Sequence, residues 1–321
     1  MMARNSSKPD NEKRGEEHSS VQSPNTDVFS ALNCHPDIVD YFVNANLRDF
    51  IRTRHPYDFI ETYFVLKYLF GYDAHYVNFG YWKDGFGTIE PGRELARLLS
   101  SSLDLSTGDR LIDVGSGLGQ AAVDICTHHD LGYVIGLNLN SRQVAFANAL
   151  ARSEGLCDRI RHISGDACSN LLQFSGQGFK ALLAMECAGH FRDPVAFLEA
   201  AQSVLKPGGR VALSLSIAAS EISLVQRCLL YAAFGFIPQS LEKWLHRLKE
   251  AGFCEVRADD ITEKVLVPGL AFALDRARQR SSKIHPIVRR YTTLQLNTAL
   301  RSVNRGALRY YAVSATVDRA E

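Results

Sequence analysis

The chain has 321 residues, with 36 Lys and Arg against 35 Asp and Glu, a formal charge of +1. That balance gives no electrostatic case for nucleic acid or an anionic membrane as partner, and the length suits one large domain or a domain with an insertion. Seven cysteines, at positions 34, 126, 157, 168, 187, 228 and 254, form no C-x-x-C pair, and such an odd, scattered set predicts reduced thiols in a cytoplasmic setting. No run approaches the roughly 18 apolar residues of a membrane span, so stable membrane insertion is not expected. The polar N-terminus does not read as a secretory signal.

Residues 1–27 are rich in Ser, Asn, Lys, Glu and Pro and are expected to be a disordered tail. Residues 28–105 are expected to form a helical arm leading into a segment that covers a ligand. Ten aromatic residues fall between Phe29 and Phe70, and aromatics at helical spacing are usually core. Residues 106–217 alternate apolar runs with helical stretches, which implies a parallel sheet with right-handed crossovers. Residues 218–240 read as a helical lid insertion. Residues 241–321 add a helix, a strand at 254–261, a mostly helical stretch at 268–303 and a last strand at 308–317.

The core begins at residues 111–120, Leu-Ile-Asp-Val-Gly-Ser-Gly-Leu-Gly-Gln. An apolar strand ends beside Asp113 and runs into a turn holding Gly115, Ser116, Gly117 and Gly119, followed by a helix from Gln120. Glycine permits positive φ and close backbone approach, and the free N–H groups of the helix start would face whatever sits on the turn. The spacing is G-x-G-x-G, one residue shorter than a dinucleotide fingerprint, and no G-K-[ST] follows, which excludes a P-loop. A second strand at 133–139 ends near Asn138 and Leu139. Asn140 then offers an N-cap before a helix carrying Gln143. Asn138 stands where a ribose-binding acid is expected, with an amide in its place. A third strand leads into Gly165, Asp166 and Ala167, and a fourth, 181–187, is apolar until Glu186.

These motifs, together with Lys206-Pro207-Gly208-Gly209 and the upstream Asn78-Phe79-Gly80-Tyr81-Trp82, resemble the class I S-adenosylmethionine-dependent methyltransferases. The resemblance covers residues 60–316. Within that superfamily it points to small-molecule methyltransferases of natural-product pathways, including macrolide sugar O-methyltransferases, which are kin to the cyclopropane fatty acid synthases. It implies an α/β fold: a Rossmann-like, seven-stranded, mostly parallel sheet with helices on both faces, plus the N-terminal arm and lid. It implies S-adenosyl-L-methionine as cofactor, held by Asn78, Tyr81, Trp82, Asp113, Gly115, Ser116, Gly117, Gly119, Gln120, Asn138, Leu139, Gln143, Asp166, Ala167 and Glu186. Tyr81 and Trp82 would close over the methionine part through their electron-rich faces, or else be core.

A methyl group on positive sulfur is already activated, so the enzyme chiefly aligns an acceptor and excludes water. An alcohol needs a base as it attacks, and a carbon acceptor needs one afterwards. His190, just past the fourth strand, is the first candidate base, its alternative being a cap of the following helix or a bond to backbone. Glu186, four positions earlier, would orient His190, act as base for a carbon acceptor, or bond the backbone of the lid. No third ligand accompanies His128 and His129, so no metal is expected. The leading reading is methylation of a hydroxyl on a hydrophobic small molecule of secondary metabolism. C-methylation of a terpenoid or lipid is the runner-up, and an inactive cofactor-binding protein comes third. A homo-oligomer stays open.

Overall fold

A computed structural model describes residues 75–219, 222–234, 236–279 and 286–318. The expected tail and most of the aromatic arm lie outside the described residues.

Seven strands form one sheet in the order β3-β2-β1-β4-β5-β7-β6. They are β1 (Arg110–Val114), β2 (Tyr133–Asn138), β3 (Ile160–Ser164), β4 (Phe179–Met185), β5 (Leu205–Ala218), β6 (Phe253–Asp260) and β7 (Leu308–Val317). The first five are parallel and β7 is antiparallel to both its neighbours. Central strands β1 and β4 are buried almost throughout, as expected of strands covered on both faces.

The pleat divides their side chains between two cores. Leu111, Ala181 and Leu183 join Leu95, Phe146 and Leu150, from α1 (Pro91–Ser101) and α3 (Ser141–Ser153), with α2 (Gln120–His129) on the same side. Ile112, Leu182 and Ala184 join Phe197, Trp244 and Leu248 on the other, from α5 (Pro194–Val204) and α7 (Leu241–Glu250). Between the strands of the first half run α2, α3 and α4 (Ala167–Leu172). The second half carries α6 (Leu224–Phe234), α8 (Thr262–Gln279) and α9 (Pro286–Asn304).

Local chemistry sets the helix starts. The Asn140 side chain accepts from the amides of Arg142 and Gln143 at α3, as its sequence position predicts. Asp193 does the same at α5, with Pro194 in the first turn. One boundary differs from expectation. Pro268 reads as the start of a helix, yet α8 begins six residues earlier and carries Pro268 within it. The following Gly269 packs on Phe79, where a Cβ would lie 2.6 Å from the Phe79 carbonyl oxygen. Burial of Pro268 and this close approach offset an interior proline that costs about 3 kcal/mol.

Strand β1 pairs with β2 on one side and β4 on the other, so the strand order reverses there. In open α/β sheets ligands bind in the crevice beyond the carboxyl ends at such a point.

Candidate functional site

A cavity of about 350 Å³ opens at that crevice, a size usual for small-ligand sites. One wall is the turn after β1 with the end of β2: Gly115, Ser116, Gly117, Gln120, Asn138 and Gln143. The opposite wall is the end of β4 and β5: Glu186, His190, Ser214 and Ser216, with Phe236 beside them. Tyr76, Val77 and Phe79 cover the top.

The turn is built from backbone. Gly115 and Gly117 have φ of 70° and 53°, a region that costs other residues about 1–2 kcal/mol. The amides of Gly115 and Ser116 both bond the Leu137 carbonyl, at 2.7 and 3.0 Å, which fixes the turn to β2. A Cβ on Gly115 would fall 2.4 Å from that of Cys187, whereas one on Gly117 would meet nothing closer than 3.9 Å. Gly115 is therefore glycine for packing as well as conformation, and Gly117 faces open space. Helix α2 starts at Gln120 with no side-chain cap on its first amides, and its first two residues, Gln120 and Ala121, line the cavity.

These residues fit S-adenosylmethionine. A nucleotide-like ligand needs a close backbone approach and hydrogen-bonding groups on the ribose side, and the turn and the Asn138–Gln143 pair (2.7 Å) supply them. Asp113, on β1 just before the turn, is outside the cavity lining and fully buried, with Oδ2 unpartnered among the described residues, and burial pushes its carboxyl up to about 7. A ligand with an ammonium group would relieve that cost.

Glu186 stands just past β4 with φ of 57°, outside the strand where its sequence position suggested it would lie. Its Oε1 accepts from the Phe79 amide at 3.1 Å and from the Tyr310 hydroxyl at 2.7 Å. Its own amide donates to Ser214 Oγ at 2.9 Å, and that oxygen lies 2.9 Å from the Tyr310 hydroxyl. Burial pushes the carboxyl up to about 7, and the hydrogen bonds from Tyr310 and Phe79 oppose the shift. The tyrosine is held in turn by its amide bond to Thr262 Oγ1 at 2.8 Å.

His190 ends the short 3₁₀ turn Ala188–His190, its amide bonded to the Cys187 carbonyl at 3.0 Å. Its ring meets Phe236 edge-on with centroids 4.5 Å apart, and burial lowers its pKa below the ordinary histidine value. It does not cap α5, since Asp193 holds that position.

The covering segment is tied on both sides. Tyr76 donates to Asp124 of α2 at 2.8 Å, and Arg93 clamps the same carboxylate at 2.6 Å. On the far side stands the Phe79–Glu186 bond.

Several expected residues sit elsewhere. Trp82 is core: it is 3% exposed, packs on Phe86 and Phe272, and donates to the Phe79 carbonyl at 2.8 Å. Tyr81 packs against the core that holds Leu95 and Leu111, its amide donating to the Pro91 carbonyl. Neither lines the cavity, because the chain turns at Gly80 and carries them past it toward α8, leaving Tyr76 and Phe79 as the cover. Asn78 is buried and spends its amide on Gly80, Gly92 and Met185, an anchoring role. Leu139, Asp166 and Ala167 are also outside the lining. Leu139 is 53% exposed, and the Asp166 side chain caps α4 through the Ser169 amide. Gly119 packs on Ala147 and His162 rather than on the cavity. Sequence reasoning missed Tyr310 and Ser214, and the alternating pattern of β7 was the only trace of the first; Phe236 comes from the expected lid insertion and does line the cavity.

Comparison with known proteins agrees with this geometry. Residues 112–213 match a methyltransferase domain family. The erythromycin 3''-O-methyltransferase of Saccharopolyspora erythraea is 30% identical over 270 residues, covering 79% of this chain and 85% of that one. The 27-O-demethylrifamycin SV methyltransferase of Amycolatopsis mediterranei is 30% identical over 210 residues, 62% of this chain and 73% of that one. In fold the chain is similar to the cyclopropane synthase MmaA2 from Mycobacterium tuberculosis (TM-score 0.67, 15% identity, 92% and 99% of the two chains). It is also similar to geranyl diphosphate C-methyltransferase from Streptomyces coelicolor (TM-score 0.62, 19% identity, 77% and 91%). With the glycine turn, the switch-point crevice and a relative aligned along most of both chains, this protein belongs to the S-adenosylmethionine-dependent methyltransferases.

Proposed function

We propose that the enzyme methylates a hydroxyl oxygen of a hydrophobic small molecule of secondary metabolism, with His190 as general base. The observation that carries this is the placement of a half-buried histidine across the cavity from the glycine turn. Its lowered pKa keeps the imidazole neutral at physiological pH, the form that accepts a proton. The named substrates of the relatives, erythromycin and a rifamycin, support an acceptor of that class.

S-adenosylmethionine supplies a methyl group activated by the positive sulfur. The chain's own residues do the rest. Gly115, Ser116, Gly117 and Gln120 would hold the cofactor through the turn, Asn138 and Gln143 would take the ribose, and Asp113 would stand beneath. Leu139, Asp166 and Ala167, which follow β2 and β3 outside the cavity lining, would flank the adenine ring of the cofactor. His190 would receive the proton of the acceptor hydroxyl, with Phe236 and Phe79 as apolar walls. Tyr76 and Phe79 would exclude water from above.

A second reading has one specific observation in its favour. Glu186 has a carboxyl raised to about 7 at the cavity wall, a group able to take a proton from carbon after C-methylation. The three hydrogen bonds that Glu186 makes favour a positioning role instead. The intact turn and the family speak against an inactive binding protein. Among the described residues no helix is long and apolar enough to cross a membrane. We place the enzyme in the cytoplasm on its free thiols.

The test is an acceptor screen with S-adenosylmethionine, read by mass as gain of one methyl group, followed by locating that methyl on oxygen or carbon by NMR. A methyl on carbon overturns the leading reading. No product and no calorimetric binding of S-adenosylhomocysteine overturns both.

A further inference from the structure

We infer that His162 is a positioning residue for the cofactor turn, a buried wedge that holds Ser116 and with it the turn in the form that receives the ligand. It comes from β3, two strands away from the turn, and rests on the reading of that turn as the S-adenosylmethionine site.

His162 is 4% exposed and its Nδ1 lies 3.0 Å from Ser116 Oγ. Ser116 lines the cavity and His162 does not, so the contact runs from the floor into the site. The backbone of His162 is fixed by a neighbouring helix. Asn148 of α3 accepts from the His162 amide at 2.9 Å and donates to its carbonyl at 3.0 Å.

Two glycines make the room. A Cβ on Gly136 of β2 would fall 2.0 Å from Nδ1, and one on Gly119, at the start of α2, would fall 3.0 Å from Nε2. The ring therefore fills the gap between β2 and the helix that begins at the turn. Nε2 is buried without a partner among the described residues. A leucine would fill such a gap without leaving a polar atom unpaired. What the imidazole adds is the bond to Ser116.

Burial also pushes the ring down to about 4, so it stays neutral across the working range and places no positive charge beneath the amides of the α2 start. The wedge is thus a neutral hydrogen-bonding group.

The experiment is calorimetric titration of the full chain with S-adenosylhomocysteine, for wild type, His162→Leu, His162→Gln, Ser116→Ala and the His162→Leu/Ser116→Ala double variant. His162→Leu should weaken binding about tenfold, the upper end for one lost hydrogen bond. His162→Gln, which can still reach Ser116, should recover most of it. The double variant should bind no more weakly than the weaker single one, since both remove the same contact. In turnover, the KM for S-adenosylmethionine should rise with kcat unchanged at saturation. A filler role would leave His162→Gln no better than His162→Leu. Equal affinity in His162→Leu and wild type, or additive losses in the double variant, overturns the inference. Should His162→Leu not fold, Gly136→Ala decides: its methyl displaces the imidazole, and unchanged affinity there also overturns it. A wild type that does not bind the probe would instead remove the cofactor reading on which the inference rests.

Discussion

The two walls of the cavity are made in different ways. The wall we propose for the cofactor is one continuous turn whose shape is set by backbone, with Gly115 and Gly117 at positive φ and two amides on one carbonyl. The wall we propose for the acceptor is assembled from groups that are far apart in sequence. Phe79 and Tyr310 meet at Glu186 from 107 residues before it and 124 after it. A wall of the first kind serves a constant ligand across a family. A wall of the second kind can be remade residue by residue, which suits the varied acceptor.

The contrast can be broken at four points. Gly115→Val should do most. A branched side chain at φ 70°, with its Cβ 2.4 Å from that of Cys187, should cost about 3 kcal/mol or more and weaken S-adenosylhomocysteine binding over a hundredfold. Retained affinity in the calorimeter would mean that the turn is not the cofactor wall.

His190→Ala should leave that affinity within about twofold while lowering kcat by roughly 10²–10⁴, the usual worth of a positioned base. Normal turnover would hand the acceptor wall to Glu186. In wild type the acid limb of the kcat/KM profile should fall below the ordinary histidine value near 6.5, because burial lowers this ring.

Tyr310→Phe should lower Tm by about 3 °C, the effect of about 1 kcal/mol in a domain of this size. It should also change the pH dependence. Glu186 is raised to about 7, so between its ordinary 4.5 and that value the folded chain binds a proton that the unfolded chain has released. Stability from this group is complete below 4.5 and declines as pH rises through about 7. The Tyr310 hydroxyl opposes the shift, so its removal should carry the decline to higher pH, and Glu186→Gln should flatten it. Thermal melts from pH 5 to 8 read all three, and superimposable curves would sever Tyr310 from Glu186. Smallest of all, deletion of residues 1–24 should leave Tm and turnover unchanged; lost activity would give the polar tail a role at the site.

What was legible in the sequence follows the same division. The glycine turn, the strands of the first half and the Asn140 cap are local patterns and could be read directly. Trp82 illustrates the opposite. An aromatic beside a binding motif reads equally well as lid or core, and only the turn at Gly80 sends it to Phe272 and leaves Phe79 over the cavity. Tyr310 sits on a strand whose alternation promises one buried face but not what that face meets. The start of α8 was obscured by Pro268, whose usual effect is to end helices or begin them, and which tertiary packing overrides.

The backbone of Glu186 sets a trade for anyone reshaping the cavity. Its left-handed conformation is one that glycine or asparagine would occupy with less strain. Either replacement would ease the backbone and remove the carboxyl that joins the Phe79 amide to the Tyr310 hydroxyl, so local relief would come with loss of the cross-link between the covering segment and β7.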